Sequence, residues 1–387
     1  MRSPLQGAGG GALRFFLAAL IIGFVATQIP WSDRVQPLEG DWSVVGEISG
    51  DWTADQVTFR AADSVGLPAD LPGDFGERLR SGEPVTLSRG DGLQWEPGLV
   101  TALSNLRFGA VFGVFAAVLG GFFFGVTRWW RLLSLCGVST AYKTVARLTM
   151  LGMFFNLVVP GLTGGDLVKA GLAAKEHPEG KGLAVMAVGL DRVIGLWTLL
   201  MIAFLSSLYM SDELGVLIAP LGLLTIGLTS VFVILGVPRL RGALGSARII
   251  NLVPRKLSGA VDALRSMSGR PVEVLLAVVL SVGNHVCIGL AVYSVARGMG
   301  DETSFFGCLA ATVVASAVSA VPIAPGGWGV GEAAYAAMFA LLGAGEAIGF
   351  AVSVSYRLCQ TLISLICGAA LWRRGKSEWA DELARAS

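Results

Sequence analysis

Lysine is missing from residues 30–106, histidine occurs only twice in 387 residues, and charged residues make up just 15% of the chain. Ordinary soluble domains hold about 25% charged residues. That shortage, beside 53% hydrophobic residues and a mean hydropathy of +0.67, excludes a purely soluble protein. His177 and His285 stand apart from the five cysteines (Cys136, Cys287, Cys308, Cys359 and Cys367), and no Cys/His grouping has metal-ligand spacing. No structural or catalytic metal is therefore expected, and nothing in the sequence calls for a cofactor. The cysteines all lie in or beside apolar runs and none falls in 30–106, so no disulfide framework is implied. A glycine-rich phosphate loop, a serine elbow and nucleic-acid motifs are also absent. No nucleic-acid partner is expected, and any energy input is left to an ion gradient, a partner protein, or none.

What the chain does have is apolar length. Runs near the ~20 residues that cross a bilayer recur at 15–29, 108–126, 183–209, 215–237, 272–296, 303–321 and 347–371. So many spans must be helices, because a helix satisfies its own backbone hydrogen bonds in lipid. The expected fold is an all-α polytopic membrane protein with a small β-rich extracytoplasmic insert. Charge gives the orientation: residues 30–106 carry thirteen acids against five arginines, a net −8, whereas 238–271 carry seven bases against Asp262, a net +6. Basic loops stay in the cytoplasm. The reading is an integral inner-membrane protein with both termini cytoplasmic and 30–106 outside.

Along the chain, Arg2 and Arg14 precede 15–29, which reads either as an uncleaved first span, making 1–29 an anchor, or as a cleaved signal. Either one exports the insert, 30–98. Alternation at Trp42–Ile48 and Val57–Arg60 suggests strands, and Pro84–Ser88 with Gly92–Trp95 suggests a hairpin turning at Gly90-Asp91. That turn explains Arg89-Gly90-Asp91 better than an adhesion motif does. Leu99, Leu103 and Leu106 share one helical face, placing 98–106 on the outer leaflet. The membrane domain is 99–373, with a cytoplasmic tail at 374–387. Arg128-Trp129-Trp130-Arg131, basic and aromatic, reads as an interfacial anchor.

Two segments cannot be plain spans. Bases flank 148–168 on both sides (Arg128, Arg131, Lys143 and Arg147 before, Lys169, Lys175 and Lys181 after), so this run should enter and leave on one face as a re-entrant hairpin. Its break is Pro160 and Gly161 with Gly164, Gly165 and Asp166, where proline and glycines stop one half-helix and the acid caps the next. A second break contains Pro325, Gly326, Gly327 and Glu332, followed by a helix over 330–342 too short to span. Pro160 precedes Arg192 by 32 residues and Pro325 precedes Arg357 by 32. The chain therefore reads as two inverted repeats with broken helices, 108–209 and 272–371, around a connector at 215–237 and a cytoplasmic loop at 238–271. Paired glycine-interrupted segments of this kind place a transporter's binding site where the breaks meet.

Charges inside spans are costly and are functional candidates by default. Asp166, Asp191, Arg192, Glu332 and Arg357 are such charges. Half-helix N-termini and buried arginines suit a phosphate; the acids would orient the arginines, accept a proton or contact a cationic headgroup. Helix capping explains Asp166 and Glu332 equally well. A packing ion pair with Asp191 or Glu332 is the competing account of Arg192 and Arg357. Asn284-His285, within 272–296, suits an interhelical hydrogen bond, and Asn156 can satisfy backbone freed by Pro160.

Arg128-Trp129-Trp130-Arg131-Leu132-Leu133, Asn156–Gly161 with Gly164-Gly165-Asp166, Asp191–Leu196, Pro325–Glu332 and Tyr356-Arg357, taken in order, resemble the membrane region of lysylphosphatidylglycerol synthases, a family also described as flippase-like. The resemblance covers about 100–372 and implies movement of lipids or lipid-linked headgroups between leaflets. Lys169 stands where that family commonly has arginine, which adds it to the candidate substrate-binding residues. Full synthases carry a soluble aminoacyl-transferase domain, whereas this sequence stops soon after Arg373-Arg374-Gly375-Lys376, so aminoacyl transfer is not expected and the insert lies outside the family core. The leading expectation is a translocator of phospholipid or polyprenyl-phosphate-linked lipid, with no catalytic residues. The rivals are a membrane enzyme acting on a lipid phosphate through Asp166, Asp191 and Glu332, and an accessory protein binding an envelope partner through 30–98. Membrane lipids are the expected partners, and a homo-oligomer is left open.

Overall fold

The computed structural model describes residues 31–38, 42–63, 67–68, 71, 73–158, 164–236, 270–319 and 329–386. The first apolar run, Pro160, Gly161, Pro325, Gly326, Gly327 and the basic loop up to 269 lie outside these residues.

The insert is a five-stranded antiparallel sheet. Strands β1 (Asp33–Pro37), β2 (Val44–Ser49), β3 (Gln56–Ala61), β4 (Val85–Ser88) and β5 (Leu93–Glu96) lie in the order β4-β3-β2-β1-β5. Alternation builds it: Val44, Gly46 and Ile48 of β2 face inward while Val45, Glu47 and Ser49 face out. Gly46 has no side chain because the Phe59 ring and the Arg60 carbonyl lie 2.5 and 2.1 Å from where a Cβ would stand. Val35, Phe59, Leu87 and Trp95 form the core with Leu79 of α1 (Gly73–Arg80). The expected hairpin between the last two strands is not formed: β4 pairs with β3 and β5 with β1, at opposite edges. The turn Arg89–Asp91, closed by the Ser88 N–H donating to Asp91 Oδ2 and by left-handed Gly92, carries the chain across. Three strands already paired leave two free edges, and each late strand completes one ladder.

After the short helix α2 (Leu99–Ser104), five helices among the described residues are long and apolar enough to cross a membrane. They are α3 (Phe108–Leu135), α6 (Lys181–Tyr209), α7 (Ser211–Gly236), α8 (Pro271–Gly298) and the first part of α11 (Glu346–Ala386). The last runs on as helix to Ala386, through the expected tail. Helices α3 and α8 pack antiparallel on small residues: a Cβ on Gly113 would stand 2.7 Å from Ser294 Oγ, and one on Gly298 2.4 Å from Ala110 Cβ. Close backbone approach of this kind replaces the hydrophobic effect as the driving force in lipid. Asn284 Nδ2 donates to the Gly121 carbonyl at 2.7 Å across the seam.

Two helix pairs fold back on themselves. Helices α4 (Tyr142–Val158) and α5 (Gly164–Glu176) form the first pair; Asn156 Oδ1 accepts the Gly165 N–H at 2.8 Å near the tip, and Arg147 pairs with Glu176 near the open end. A Cβ on Gly165 would stand 2.0 Å from the Gly152 carbonyl, so only glycine allows this approach. Helices α9 (Phe305–Ser319) and α10 (Val330–Leu341) form the second; Ser319 lies against Gly331 at the tip, and Gly307 against Leu342 at the open end. Helix α8 starts 163 residues after α3 (271 − 108), α9 163 after α4 (305 − 142), α10 166 after α5 (330 − 164) and α11 165 after α6 (346 − 181).

The sheet domain sits on the open end of the second hairpin. Trp52 donates its indole N–H to the Met299 carbonyl at 3.1 Å and packs against both the sheet core and the helical core. Thr53 presses on Gly300, which has φ +91°, and Glu96 lies beside Gly345. One face of the insert thus touches the loop before α9 and the loop after α10. At the opposite end, where the first hairpin opens, Val138 and Gly180 meet each other instead.

Trp52→Ala should release this end. Amides of 299–304 and 343–345 are expected to exchange about tenfold faster, as the loss of roughly one hydrogen bond and its packing allows, while the α3–α8 seam is unchanged. Hydrogen exchange in detergent measures both.

Candidate functional site

The intramembrane charges gather in two groups, one at each hairpin. In the first, α6 supplies Asp191, which lies between two cations. Arg128 Nε of α3 donates to Asp191 Oδ1 at 2.7 Å and Arg128 Nη1 donates to Ser281 Oγ of α8 at 2.6 Å. Lys169 Nζ of α5 stands 3.7 Å from Asp191 Oδ2 and 3.8 Å from the centre of the Trp129 ring. Arg128, Lys169 and Asp191 are all buried. A carboxylate between two cations is the arrangement that lets such charges persist in an apolar bundle, and Trp129 adds a cation–π contact.

Arg192, the next residue, points the other way. It pairs with Asp166 of α5, and its side chain is 57% exposed against 13% for Asp166. Asp191 and Arg192 therefore do not pair with each other, because adjacent helical residues do not face one another.

In the second group, Arg357 Nε of α11 stands 3.1 Å from Glu332 Oε1 of α10, with side chains 14% and 2% exposed. Glu332 Oε2 also accepts the Gly329 N–H at 2.6 Å, so capping and ion pairing occur together. A Cβ on Gly331 would stand 1.8 Å from Arg357 Nη2, so the glycine makes room for the guanidinium. Tyr335, hydrogen-bonded to Thr312, and Tyr356 are buried beside it.

Position by position the groups correspond. Asp166 and Glu332 each occupy the third residue of a half-helix, directly after Gly165 and Gly331, and each pairs with the arginine of the following long helix. Asn156 and Ser319 contact those two glycines from the preceding half-helix. Where the first group has Lys169 and Asp191, the second has Tyr335 and Tyr356.

The packing ion pair expected for Arg357 is present, whereas Arg192 takes Asp166 in place of Asp191. The anchor reading of Arg128-Trp129-Trp130-Arg131 needs correction: Arg131 is exposed and Trp130 donates to the Thr140 carbonyl, but Arg128 and Trp129 are buried in the bundle. Helix α3 is 28 residues long, about 42 Å at 1.5 Å per residue, so Arg128 starts well before its end; that length was the available signal. Asn284 makes the expected interhelical bond, and His285 Nε2 lies 3.2 Å from the Gly195 carbonyl. Gly164 and Gly165, expected in the break before the second half-helix, are instead the first two residues of α5, with Asp166 the third. Among the described residues no group of three or more His, Cys, Asp or Glu could hold a metal ion.

Comparison with known proteins adds two findings. Residues 96–368 match the family described as lysylphosphatidylglycerol synthase TM region. The chain is 24% identical over 269 residues to the UPF0104 membrane protein PH1989 of Pyrococcus horikoshii, covering 63% of this chain and 80% of that protein. No solved structure gives a significant match.

Burial separates the two arginines of the first group. Arg128→Met should cost roughly 3–5 kcal/mol by leaving Asp191 poorly paired, whereas Arg192→Gln should cost under about 1 kcal/mol because the Arg192 side chain is itself more than half exposed. Thermal unfolding in detergent, followed by tryptophan fluorescence, should show a large drop in Tm for the first and little for the second.

Proposed function

Because the chain belongs to the lysylphosphatidylglycerol synthase TM region family, we propose that it is a lipid translocator, carrying a phospholipid or a polyprenyl-phosphate-linked lipid between leaflets of the inner membrane. One observation carries the reading. Each of two hairpins that open toward opposite ends of the bundle is tied to the following long helix by an acid–arginine pair at an equivalent position. On this reading the halves are inverted repeats, the hairpins are re-entrant, and rocking of one half against the other exposes Asp166, Arg192, Glu332 and Arg357 to each leaflet in turn. Lys169 and Asp191 complete the substrate-binding set.

The enzyme reading is less well supported. Asp166, Asp191 and Glu332 are each engaged by a cation, Arg192, Arg128 with Lys169, and Arg357 respectively; a general acid or base needs a proton-exchanging partner. The insert, docked over the second hairpin, is on this reading extracytoplasmic, with both chain termini in the cytoplasm, and its outer face is free for an envelope partner.

Two measurements test this. In a cysteine-free background, an impermeant maleimide added to intact cells should label a cysteine at Glu47 and spare one at Lys181; the reverse pattern overturns the orientation. In reconstituted vesicles, Arg192→Gln and Arg357→Gln should each lower lipid translocation by about tenfold or more, because each breaks the ion pair that ties a hairpin to its following helix, while the protein still inserts and elutes as the wild type does. Wild-type rates in both variants would overturn the proposed site.

A further inference from the structure

The equivalent groups in the two halves differ in charge. The first holds three cations, Arg128, Lys169 and Arg192, against two carboxylates, Asp166 and Asp191. The second holds one of each, Arg357 and Glu332. The difference arises at the two positions where Lys169 and Asp191 are matched by tyrosines and from Arg128, whose counterpart 163 residues on is Ala291. One surplus positive charge is thus retained in one half of an apolar bundle, where an uncompensated charge is costly.

Lys169 is the most loosely paired of the three cations, since it shares Asp191 with Arg128 and holds it by the longest contact. It is 7% exposed, and its nearest acid oxygen, at 3.7 Å, is beyond hydrogen-bond reach. No acceptor for its three N–H donors is present among the described residues. The Trp129 indole N–H, in the ring beneath it, is also buried without an acceptor. Lys169 follows Gly165 by four residues, one turn of α5, whose first-turn N–H groups point back past the helix start, the Gly165 N–H being taken by Asn156 Oδ1. Arg192 stands at the same hairpin, exposed. It shares its face of α6 with Val185 and Leu196, both exposed, at spacings of seven and four residues. Its guanidinium is therefore bordered by apolar surface, as a headgroup with acyl chains beside it would require.

We infer that the first half, through Lys169 and Arg192 at the start of α5, is the seat of a singly charged lipid phosphodiester, and that the second half forms no equivalent phosphate seat. One phosphodiester neutralises the one surplus charge and supplies acceptor oxygens for Lys169. Tyr335 and Tyr356, neutral and buried, leave the second group already balanced. The inference rests on the translocator reading for its lipid but concerns binding alone.

The test uses the full chain in detergent and native mass spectrometry, with phosphatidylglycerol, diacylglycerol and inorganic phosphate as probes. The wild type should retain one phosphatidylglycerol. Lys169→Met should weaken retention by about tenfold or more, Lys169→Arg by no more than about threefold, and Tyr335→Phe should leave it unchanged. Lys169→Gln serves if the methionine variant does not fold. Equal retention of diacylglycerol, undiminished binding in the Lys169→Met and Lys169→Gln variants, or an equal loss in Tyr335→Phe would overturn the seat. Displacement of the lipid by millimolar inorganic phosphate would show a free-anion site and overturn the lipid assignment. A protein that retains phosphatidylglycerol through Lys169 yet translocates none keeps the seat and loses the translocator reading.

Discussion

Asp191 is the charge on which the arrangement of the membrane helices depends. It lies on the inward face of α6, receives Arg128 from α3 and stands beside Lys169 from α5, while Arg128 reaches on to Ser281 of α8. Four helices from distant parts of the sequence are thereby tied at one point. In an apolar medium neither a lone carboxylate nor a lone guanidinium is tolerated, so those helices cannot separate without exposing one. The α3–α8 seam, packed on glycine and serine, adds close contact but little direction.

Around this point the hairpins acquire their meaning. The glycines at their tips are required by space as much as by chain reversal: Gly165 admits the Gly152 carbonyl and Gly331 admits the Arg357 guanidinium. A residue that frees room for the neighbouring backbone in one half frees room for a charged side chain in the other. The same local design therefore yields an exposed arginine in the first half and a nearly sealed one in the second.

The insert adds to this asymmetry. By resting on Met299 and Gly300 at one side of the second hairpin and near Gly345 at the other, it covers both loops at that hairpin's open end. The first hairpin has no such cover among the described residues.

Much of this was legible in the sequence because it rests on composition and local chemistry. Apolar length marked the spans, glycine and proline marked the folds, and the acid following each break marked the half-helix starts, since all of these are constraints on the chain within a few turns. The strands of the insert were visible by alternation, yet the pairing of β4 and β5 at opposite edges was not, because alternation fixes a strand's face and not its neighbour. In the same way, helical spacing set Asp191 and Arg192 on different faces but could not name their partners. Arg128 resembled an interfacial anchor because it stands in a basic and aromatic run whose Trp130 is half-buried and Arg131 exposed; only the rotation of α3 against α6 and α8 turned it inward. The sequence by itself determined that Asp191, Arg192 and Arg357 would lie within apolar spans, since hydropathy is a local property, while Arg128 and Lys169 read as flanking charges that only packing buries. Which of them meet was decided by tertiary packing, because an ion pair between helices depends on rotation and register that no local pattern contains.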